Sequence, residues 1–541
     1  MARGKQIRRR DIMTPLLVTL SAHLMAFTLF INHRLFQMLD EPRVGQYVSQ
    51  VSIAGDDPED DKQQQDAGAA AGAKAPESGN PSPDLASTLQ QSQPATPTLP
   101  QRPQQPAAAT GQPDSSENPS DDRPLSERLS ALAGGDAGGN QGDGHEAGGG
   151  SHGLRGEGKR GNGLKRHGGS AETENAVEMG LAWLKSVQDA DGRWDSNDFM
   201  LHYLKSANQY ERLAEGVGSA KNDIGLTGLC LLAFTGAGHD DRTGKYAATV
   251  NAARGFLLGK QRVQDGGFGL ETDQYRSDMY SHSIATLALL DLFLLTGDET
   301  LRTPAKRALQ YLLHMQGPGG GWDYDQSLPR YADKFTHATR DDLSITGWAA
   351  MALIAAREAN IEVPRENLQR LVRFLQECTR DDGEAVYADE GGRKGQRTMA
   401  MMTVSSLCRR LLGEEAASPV QAMQLERMAA NPPSWDRAGE TSGCNEYYWY
   451  YGSLCMLLAR DQTGGIDRWR DWNAGLKRTL VDNQCQQGPR RGSFDPVGQW
   501  AAHGGGRVYQ TALNILTLEV YYRYDPEYLR ARTGELAYLW D

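Results

Sequence analysis

Two adjacent carboxylates, Asp341 and Asp342, are the side chains with the clearest capacity for acid chemistry in this sequence. Paired carboxylates beside a cavity raise one another's pKa, so one of them can stay protonated and act as a strong catalytic acid. An apolar segment follows the pair, which gives Asp342 a simpler role as well. An aspartate at the start of a helix accepts hydrogen bonds from the first free N–H groups. The sequence therefore predicts either a catalytic acid or a helix cap.

A second group of candidates is aromatic and is centred on residues 447–451, five aromatic residues in a row. Aromatic walls around a hollow suit elongated apolar ligands, sugars or peptides, but the same residues also fill the core of a barrel that has no cavity. Consecutive helical residues point in all directions, so only part of the run can face an interior. The predicted ligand-binding residues are Tyr280, His282, Trp348, Tyr447, Tyr448, Trp449, Tyr509 and Gln510. For His282 the alternative is a buried core histidine.

The elements that position these candidates are segments whose apolar residues recur at three- and four-residue spacing, which is typical of helices. Two kinds of segment alternate from residue 176 onward. The first kind has one apolar stripe and a charged face, and its members are residues 176–187, 246–260, 301–315, 364–377, 419–429 and 467–483. The second kind is apolar on all sides and rich in small residues, and its members are residues 223–235, 279–296, 341–359, 397–412, 445–460 and 507–524.

Helices with one apolar stripe should face solvent, and helices that are apolar all round should be enclosed. Six pairs of similar length can close into a ring with the enclosed helices inside, and an open superhelical stack is the alternative. The predicted fold is all-α, an (α/α)6 toroid of six helix pairs. In a closed ring the N-termini of the inner helices gather at one opening, where we expect the candidate residues to lie.

A short motif ends two of the amphipathic segments: glutamine, then glycine four residues later and tryptophan six residues later, at 188–194 and 316–322. Degenerate copies follow Gln261 and Gln484. We predict that the glutamine amide bonds backbone groups at helix ends and that the tryptophan packs over the turn. Together with the six alternating helix pairs, this motif resembles the repeat of the prenyltransferase and squalene-cyclase superfamily over residues 174–530. That resemblance implies the α/α toroid of terpene cyclases and of protein prenyltransferase β subunits.

The chain departs from the acid motif of the superfamily it resembles. Terpene cyclases of this kind carry Asp-x-Asp-Asp, which would fall on residues 339–342. Thr339 stands at the first of these positions, and Arg340 adjoins the remaining pair. The resemblance implies an acid at Asp341 or Asp342, whereas the missing aspartate implies a degraded motif.

The zinc site of protein prenyltransferases is also incomplete in this sequence. That family uses Asp-x-Cys at one inner-helix start and a histidine at the next. Cys444 matches the cysteine, but Ser442 and Gln510 stand at the other two positions. One ligand of three cannot hold a tetrahedral zinc, so the sequence predicts no metal and no other cofactor. His503 or Glu446 would have to substitute for the missing ligands.

The N-terminal part of the chain has a different composition. Residues 1–11 are basic and are predicted to be cytoplasmic, and residues 12–33 are apolar enough and long enough for a transmembrane signal-anchor helix. A cleaved signal peptide is the alternative. Residues 34–173 are rich in Gly, Pro, Gln and Ala, and are predicted to be a disordered linker. Residues 174–541 are the predicted toroid. The predicted location is the inner or plasma membrane, single-pass, with the toroid outside the cytoplasm.

His23 lies in the middle of the predicted membrane span, one helical turn after Thr19. An ionisable residue inside a membrane is costly and often functional. A basic N-terminus, one helix with this spacing and a long external tether resemble TonB-type energy transducers. That resemblance implies docking with an ion-channel energising complex, and a neutral, tolerated histidine is the alternative. The net charge of −12 gives no indication of nucleic-acid binding.

Three functional hypotheses follow from the sequence. The first is a membrane-tethered, extracytoplasmic toroid that binds a ligand or a protein partner and whose catalytic motifs are degraded. The second is an enzyme that acts on an isoprenoid substrate, with Asp341 or Asp342 as the acid and the aromatic residues stabilising a carbocation. The third is a carbohydrate-active lyase or hydrolase on a helical toroid.

Overall fold

The computed structural model describes residues 152–156, 159–268, 279–324, 341–388, 396–437, 444–497 and 504–541. The predicted membrane span with His23, and the predicted linker up to residue 151, lie outside these residues. In the described part of the chain the secondary structure is helical, and β-structure is limited to isolated bridges. The all-α prediction is therefore confirmed for this part.

The helices are named here in chain order. They are α1 (Arg160–His167), α2 (Ala171–Ser186), α3 (Gln209–Glu215), α4 (Asp223–Gly236), α5 (Ala247–Lys260), α6 (Met279–Thr296), α7 (Arg302–His314), α8 (Leu343–Glu358), α9 (Arg365–Cys378), α10 (Met399–Leu411), α11 (Pro419–Ala430), α12 (Glu446–Leu458), α13 (Gly465–Val481), α14 (Gly506–Leu518), α15 (Val520–Arg523) and α16 (Pro526–Gly534). Short 3-10 turns lie at Phe199–His202, Ala220–Asn222, Glu299–Leu301, Gly488–Arg490 and Ala537–Leu539.

Six of these helices form a closed inner ring. α4, α6, α8, α10, α12 and α14 each pack against the next, and α14 packs back against α4. The outer helices α2, α5, α7, α9, α11 and α13 cover this ring from outside. The inner helices are buried along nearly their whole length, and every residue of α12 is buried. This burial explains why their sequences are apolar on all sides, and the packing of α14 on α4 excludes the open stack.

The glutamine loops join neighbouring outer helices by a repeated pair of hydrogen bonds. Gln188 donates from Nε2 to the carbonyl oxygens of Gly192 and Thr249, each at 3.0 Å. Three further glutamines use the same pattern, and they bond to the next outer helix at Pro304, Asn367 and Ala176. In the two complete motifs the tryptophan Nε1 donates to the preceding helix, at Leu184 and Leu312. The predicted structural role of the motif is confirmed.

The folded domain begins earlier than predicted. Residues 152–156 and α1 lie within the interval 34–173, which was predicted to be linker, and this boundary was wrong. His152 and Arg155 are buried, and His167 at the end of α1 bonds the carbonyl of Tyr521 through Nδ1 at 2.6 Å. Both polar and apolar contacts to distant helices order the segment, and its own composition shows no apolar periodicity that would have predicted a helix.

One described helix, α6, passes the length and hydropathy test for a membrane span, with a mean hydropathy of 1.4. In the structure 83% of this stretch is buried inside the protein, where α6 packs between α4 and α8. Its apolar character is thus that of a core helix.

Candidate functional site

The acidic pair lies at the start of α8, at the opening where the N-termini of the inner helices meet. Asp342 caps the helix, since its Oδ1 accepts from the N–H of Ser344 at 2.8 Å and from the N–H of Ile345 at 3.4 Å. The Oδ2 of Asp341 accepts from the N–H of Gly321 at 3.0 Å, in the loop that ends with Trp322. Both aspartates are buried. The helix-cap interpretation is confirmed, and the catalytic role stays a prediction.

A network of tyrosine hydroxyls surrounds the acidic pair. Tyr280 donates to the hydroxyl of Ser344, which itself donates to Asp342 Oδ1 at 2.5 Å. Tyr447 donates to the carbonyl oxygen of Ser344 at 2.8 Å. Burial raises the pKa of Tyr280 and of Tyr447 well above the ordinary value, so both stay hydrogen-bond donors. The structure therefore brings together Tyr280, Tyr447 and Asp342, as the sequence predicted.

Two further tyrosines belong to this opening and were missed by sequence reasoning. The hydroxyls of Tyr324 and Tyr387 lie 2.8 Å apart, and the ring of Tyr324 contacts that of Tyr280 with centroids 5.5 Å apart. Both residues lie in loops before inner helices, where no periodic pattern marks a direction for the side chain. Their only sequence signal is proximity to an inner-helix start.

Trp348 forms the centre of an aromatic cluster inside the ring. Its indole stacks on Tyr450 with centroids 5.6 Å apart, and it meets Tyr451 and Tyr447 edge-on at 5.8 and 6.2 Å. Trp348 and Tyr450 are each 1% exposed. This cluster fills space between α8 and α12, so the core-filling alternative describes Trp348 in this structure.

Tyr448 and Trp449 point away from the ring interior, contrary to the predicted ligand-binding role. Tyr448 packs edge-on against Trp472 of outer helix α13 and donates to the carbonyl of Asn431 at 2.8 Å. Trp449 stacks on Trp435 with centroids 5.8 Å apart. Successive helical residues are about 100° apart, so these two positions face the outer layer while Tyr447 and Tyr451 face inward.

His282 has a structural role in place of the predicted ligand-binding one. Its Nδ1 accepts from the N–H of Phe268 at 3.2 Å, and its Nε2 contacts the carbonyl oxygen of Ala308 at 3.1 Å, which makes Nε2 the protonated nitrogen. Burial lowers the pKa of His282 to about 3. Threonine holds the equivalent place in three other repeats, where Thr227, Thr346 and Thr511 accept from the loop N–H. His282 therefore fastens a loop to its helix.

Tyr509 and Gln510 lie on α14 beside the first residue of α12, Glu446. Gln510 is buried, and it accepts from the N–H of Val497 at 3.3 Å and donates to Asn514 at 3.2 Å. Tyr509 is hydrogen-bonded to Glu446, whose pKa burial raises to about 7. The second oxygen of Glu446, Oε2, has no hydrogen-bond partner among the described residues. Sequence reasoning considered Glu446 only as a substitute zinc ligand and missed this buried acid.

The residues that the sequence considered as zinc ligands do not form a metal site among the described residues, and the prediction of no metal stays a prediction. In the described part of the chain, no group of three or more His, Cys, Asp or Glu side chains is arranged to hold a metal ion. Cys444, the predicted match to a zinc ligand, is buried, and Ser442 and His503 lie outside the described residues.

The opposite opening of the ring carries a buried ionic cluster that the sequence did not predict. Asp291 of α6 accepts from Arg155 at 2.8 Å and from Thr235 at 2.5 Å, and it lies 3.0 Å from His152 Nε2. Burial disfavours the charged carboxylate, but Arg155 and His152 outweigh this effect and hold the pKa of Asp291 well below its usual value. Residues 152–156 thus cover this end of the ring.

An apolar cavity lies beside this cluster and has a free volume of about 30 Å³. It is lined mainly by aliphatic side chains at the C-terminal ends of α8, α10 and α12, with Pro526 and Leu529 of α16. A volume of this size holds about one or two water molecules, whereas small-molecule sites usually measure roughly 300–1,000 Å³.

Residues 166–392 match the family model of the squalene-hopene cyclase C-terminal domain. Over these residues the chain is similar to the squalene-cyclase-like superfamily of α/α toroids. The squalene–hopene cyclase of Bradyrhizobium diazoefficiens is 22% identical over 210 residues, which are 39% of this chain and 30% of the relative. A probable squalene–hopene cyclase of Sinorhizobium fredii is 24% identical over 220 residues, or 40% of this chain and 32% of the relative. The matched part thus spans about a third of the length of these cyclases.

Solved structures with a similar course of the chain share little sequence with this toroid. A type II terpene cyclase from Scytonema has 14% identity and a TM-score of 0.39, and the match covers 64% of this chain and 96% of the cyclase. An α-1,6-mannanase of Salegentibacter has 11% identity and a TM-score of 0.45, with 65% of this chain and 99% of the mannanase covered. These values assign no activity to the toroid.

Proposed function

We propose that this protein is a membrane-tethered toroid that binds a partner or ligand outside the cytoplasm and has no chemistry of its own. Its scaffold is that of squalene-cyclase-like proteins, and its reactive positions differ from theirs. The observation that carries the proposal is the engagement of Asp341 and Asp342 by backbone N–H groups of a loop and a helix start.

The hydrogen bonds of the acidic pair support a structural role. A catalytic acid must direct a protonated oxygen at its substrate, within hydrogen-bond reach of the atom that takes the proton. Asp342 Oδ1 receives the N–H and the hydroxyl of Ser344, and Asp341 Oδ2 receives the N–H of Gly321, so one oxygen of each carboxylate is held in structural hydrogen bonds. Thr339, at the first position of the acid motif, supplies no further carboxylate.

Packing inside the ring favours a binding site at its tyrosine-rich opening over one in its centre. The stack of Trp348 on Tyr450 occupies the space between α8 and α12. The apolar cavity nearer the other end, at about 30 Å³, is far smaller than an isoprenoid of thirty carbons requires. At the opening, Tyr280, Tyr324 and Tyr387 are half-buried, and tyrosines are common in binding surfaces because they combine an aromatic face with a hydroxyl.

The membrane tether is supported by the sequence. A cluster of five arginines and lysines precedes an apolar stretch of about 30 Å in helical form, and the folded domain starts more than a hundred residues later. Localisation is tested with the full chain: it should stay in the membrane fraction after a carbonate wash. Protease added from outside the cytoplasmic membrane should digest the toroid but spare an N-terminal tag.

The absence of chemistry is tested with squalene and with shorter polyprenyl substrates presented in detergent micelles. We expect no cyclised product from the wild-type full chain or from Asp342→Asn, which keeps the helix cap because asparagine caps equally well. Formation of a product by the wild type that disappears in Asp341→Asn or Asp342→Asn would overturn the proposal. Mass spectrometry of molecules retained by the purified full chain then identifies a bound ligand.

A second candidate function, an enzyme acting on an isoprenoid, is favoured by one observation. Glu446 is a buried carboxyl with a pKa of about 7, it is bonded to Tyr509, and one of its oxygens has no partner among the described residues. Such a group keeps a substantial protonated fraction near neutral pH and can donate a proton. Turnover that is lost in Glu446→Gln and kept in Asp342→Asn would support this second candidate.

A further inference from the structure

Arg410, at the end of inner helix α10, is a buried cation without a carboxylate partner among the described residues. The residue is 6% exposed. Its Nε and Nη2 atoms are inaccessible to solvent and have no hydrogen-bond partner in the described part of the chain. A guanidinium keeps its charge at any physiological pH, and burying an unpaired charge is strongly unfavourable. The buried guanidinium of Arg410 therefore lacks a counter-anion among the described residues.

Other arginines show which partners the Nε–Nη2 edge of a guanidinium binds in this protein, and the neighbouring Arg409 is the first example. Arg409 donates from Nε and Nη2 to the two oxygens of Glu414, at 2.7 and 2.6 Å. Arg490 binds Glu215 through the same two atoms, at 3.0 and 2.8 Å. Two parallel N–H groups match the two oxygens of a carboxylate or phosphate group. In Arg410 the same edge is buried and lacks such a partner.

The charges that face Arg410 do not neutralise it. Glu414 is the nearby acid, but its oxygens are already bonded to Arg409 and to Gln421. Arg530 of helix α16 adds a second positive charge, and its own partner is Asp461 at 2.6 Å. Cys455 of α12 contributes a thiol, which burial keeps protonated by raising its pKa to about 11. The surroundings of Arg410 thus carry an excess of positive charge.

We propose that the Nε–Nη2 edge of Arg410 is a binding site for a small oxyanion, a phosphate or carboxylate group held between α10, α12 and α16. The anion takes both N–H groups in the bidentate geometry that Glu414 has with Arg409. Arg530, 33% exposed, extends the positive charge to the surface along α16 and attracts the anion to the site. The ligand stabilises the junction between the inner ring and the C-terminal helix.

The test compares thermal unfolding of the full chain in sodium chloride, sodium phosphate and sodium acetate at constant ionic strength. We expect the Tm of the wild type to rise saturably with phosphate or acetate, because an anion that binds the folded state stabilises it. In Arg410→Met the saturable rise should disappear, with an affinity reduced at least about tenfold. Arg470→Met, which removes an exposed arginine, is the matched control and should keep the full response.

Two results would overturn the proposal. One is an equal response to phosphate in the wild type and in Arg410→Met. The other is a wild-type Tm that does not depend on the anion, together with a higher Tm for Arg410→Met, which would identify the guanidinium as an unpaired charge. If Arg410→Met does not fold, phosphorus NMR of inorganic phosphate with the wild type and with Arg410→Lys decides. Equal binding by both proteins would exclude the bidentate site, and weaker binding by Arg410→Lys would support it. Vesicles with and without anionic phospholipid then distinguish a lipid headgroup from a free anion.

Discussion

Gln484, in the last glutamine loop, donates from Nε2 to the carbonyl oxygen of Ala176 in the first outer helix, at 2.8 Å. The same amide bonds the carbonyl of Gly492 at 2.8 Å, as Gln188 does with Gly192 in the first loop. The contact that closes the ring is thus a further copy of the contact between successive repeats. Closure of the ring therefore depends on close packing of the last glutamine loop against α2.

Gly492 provides a direct test of this closure. Its φ is +96°, and a Cβ at this position would overlap the carbonyl oxygen of Met179 in α2. Gly488, four residues earlier in the same loop, also has a positive φ of +68°, but a Cβ there would meet nothing within 4 Å. We expect Gly492→Ala to lower the free energy of unfolding by roughly 2 kcal/mol more than Gly488→Ala, because both carry the backbone strain and only the first carries the overlap. Urea unfolding of the two variants measures this difference, and equal values would contradict it.

The buried ionic cluster at the other end of the ring predicts that Arg155 stabilises the toroid. Arg155→Met leaves Asp291 buried without its closest guanidinium, and we expect a loss of about 3–5 kcal/mol in unfolding free energy. Arg155→Met combined with Asp291→Asn should recover much of this loss, because the buried charge has been removed as well. Arg302→Met, which breaks an exposed ion pair with Glu299, should cost less than about 1 kcal/mol. A double variant no more stable than Arg155→Met alone would contradict the ionic explanation.

Glu446 predicts a specific dependence of stability on pH. Its pKa is about 7 in the folded protein against an ordinary value of 4.5, so only the unfolded chain is ionised between these values. Its contribution to stability is therefore fully present below about pH 4.5 and is lost as the pH rises to about 7. Glu446→Gln should remove this dependence and gain up to about 3 kcal/mol over the wild type at pH 8.

Urea unfolding from pH 4.5 to 8 measures the effect of Glu446→Gln. Asp223, whose pKa burial raises to about 7, contributes equally to both proteins and cancels in the comparison. Glu426→Gln, at an exposed glutamate, is the control and should follow the wild-type curve. Parallel curves for Glu446→Gln and the wild type would show that the carboxyl does not titrate differently on folding.

The loop contact of His282 is testable by nitrogen NMR of the imidazole ring. Because its pKa is lowered to about 3, the ring should stay neutral and keep its proton on Nε2 from pH 8 down to about 4.5. Below pH 6.5 the unfolded chain takes up a proton that the folded chain does not, so stability falls as the pH falls toward 3. His282→Thr, which places the residue found in the equivalent repeats, assigns the signals. A titration of the ring near pH 6.5 would contradict the buried contact.

The helix pairs were predictable because apolar periodicity is a local signal. Residues 279–296 coincide with α6, and the predicted segment 419–429 differs from α11 by one residue. The inner and outer layers also followed from whether a segment is apolar all round. The acidic cap was predictable for the same reason, since an aspartate before an apolar helix has a defined local role.

Features that depend on distant contacts were not predictable. The segment around Arg155 has the composition of a linker, and its order comes from Asp291, 136 residues further along the chain. The inward and outward directions within residues 447–451 follow from the rotation of α12 in the ring. His282 was predicted to bind a ligand because the sequence does not show that it takes the place of a threonine in the repeat.

The attachment of residues 152–156 also determines how the toroid would bear a mechanical load. Tension applied through the preceding chain first reaches Asp291 on inner helix α6, by way of Arg155 and His152. Once those contacts break, the pull passes through α1 to α2, the helix that Gln484 bonds to close the ring. Tension from that side would therefore open the ring at the contact between Gln484 and α2 before it disturbs the other repeats.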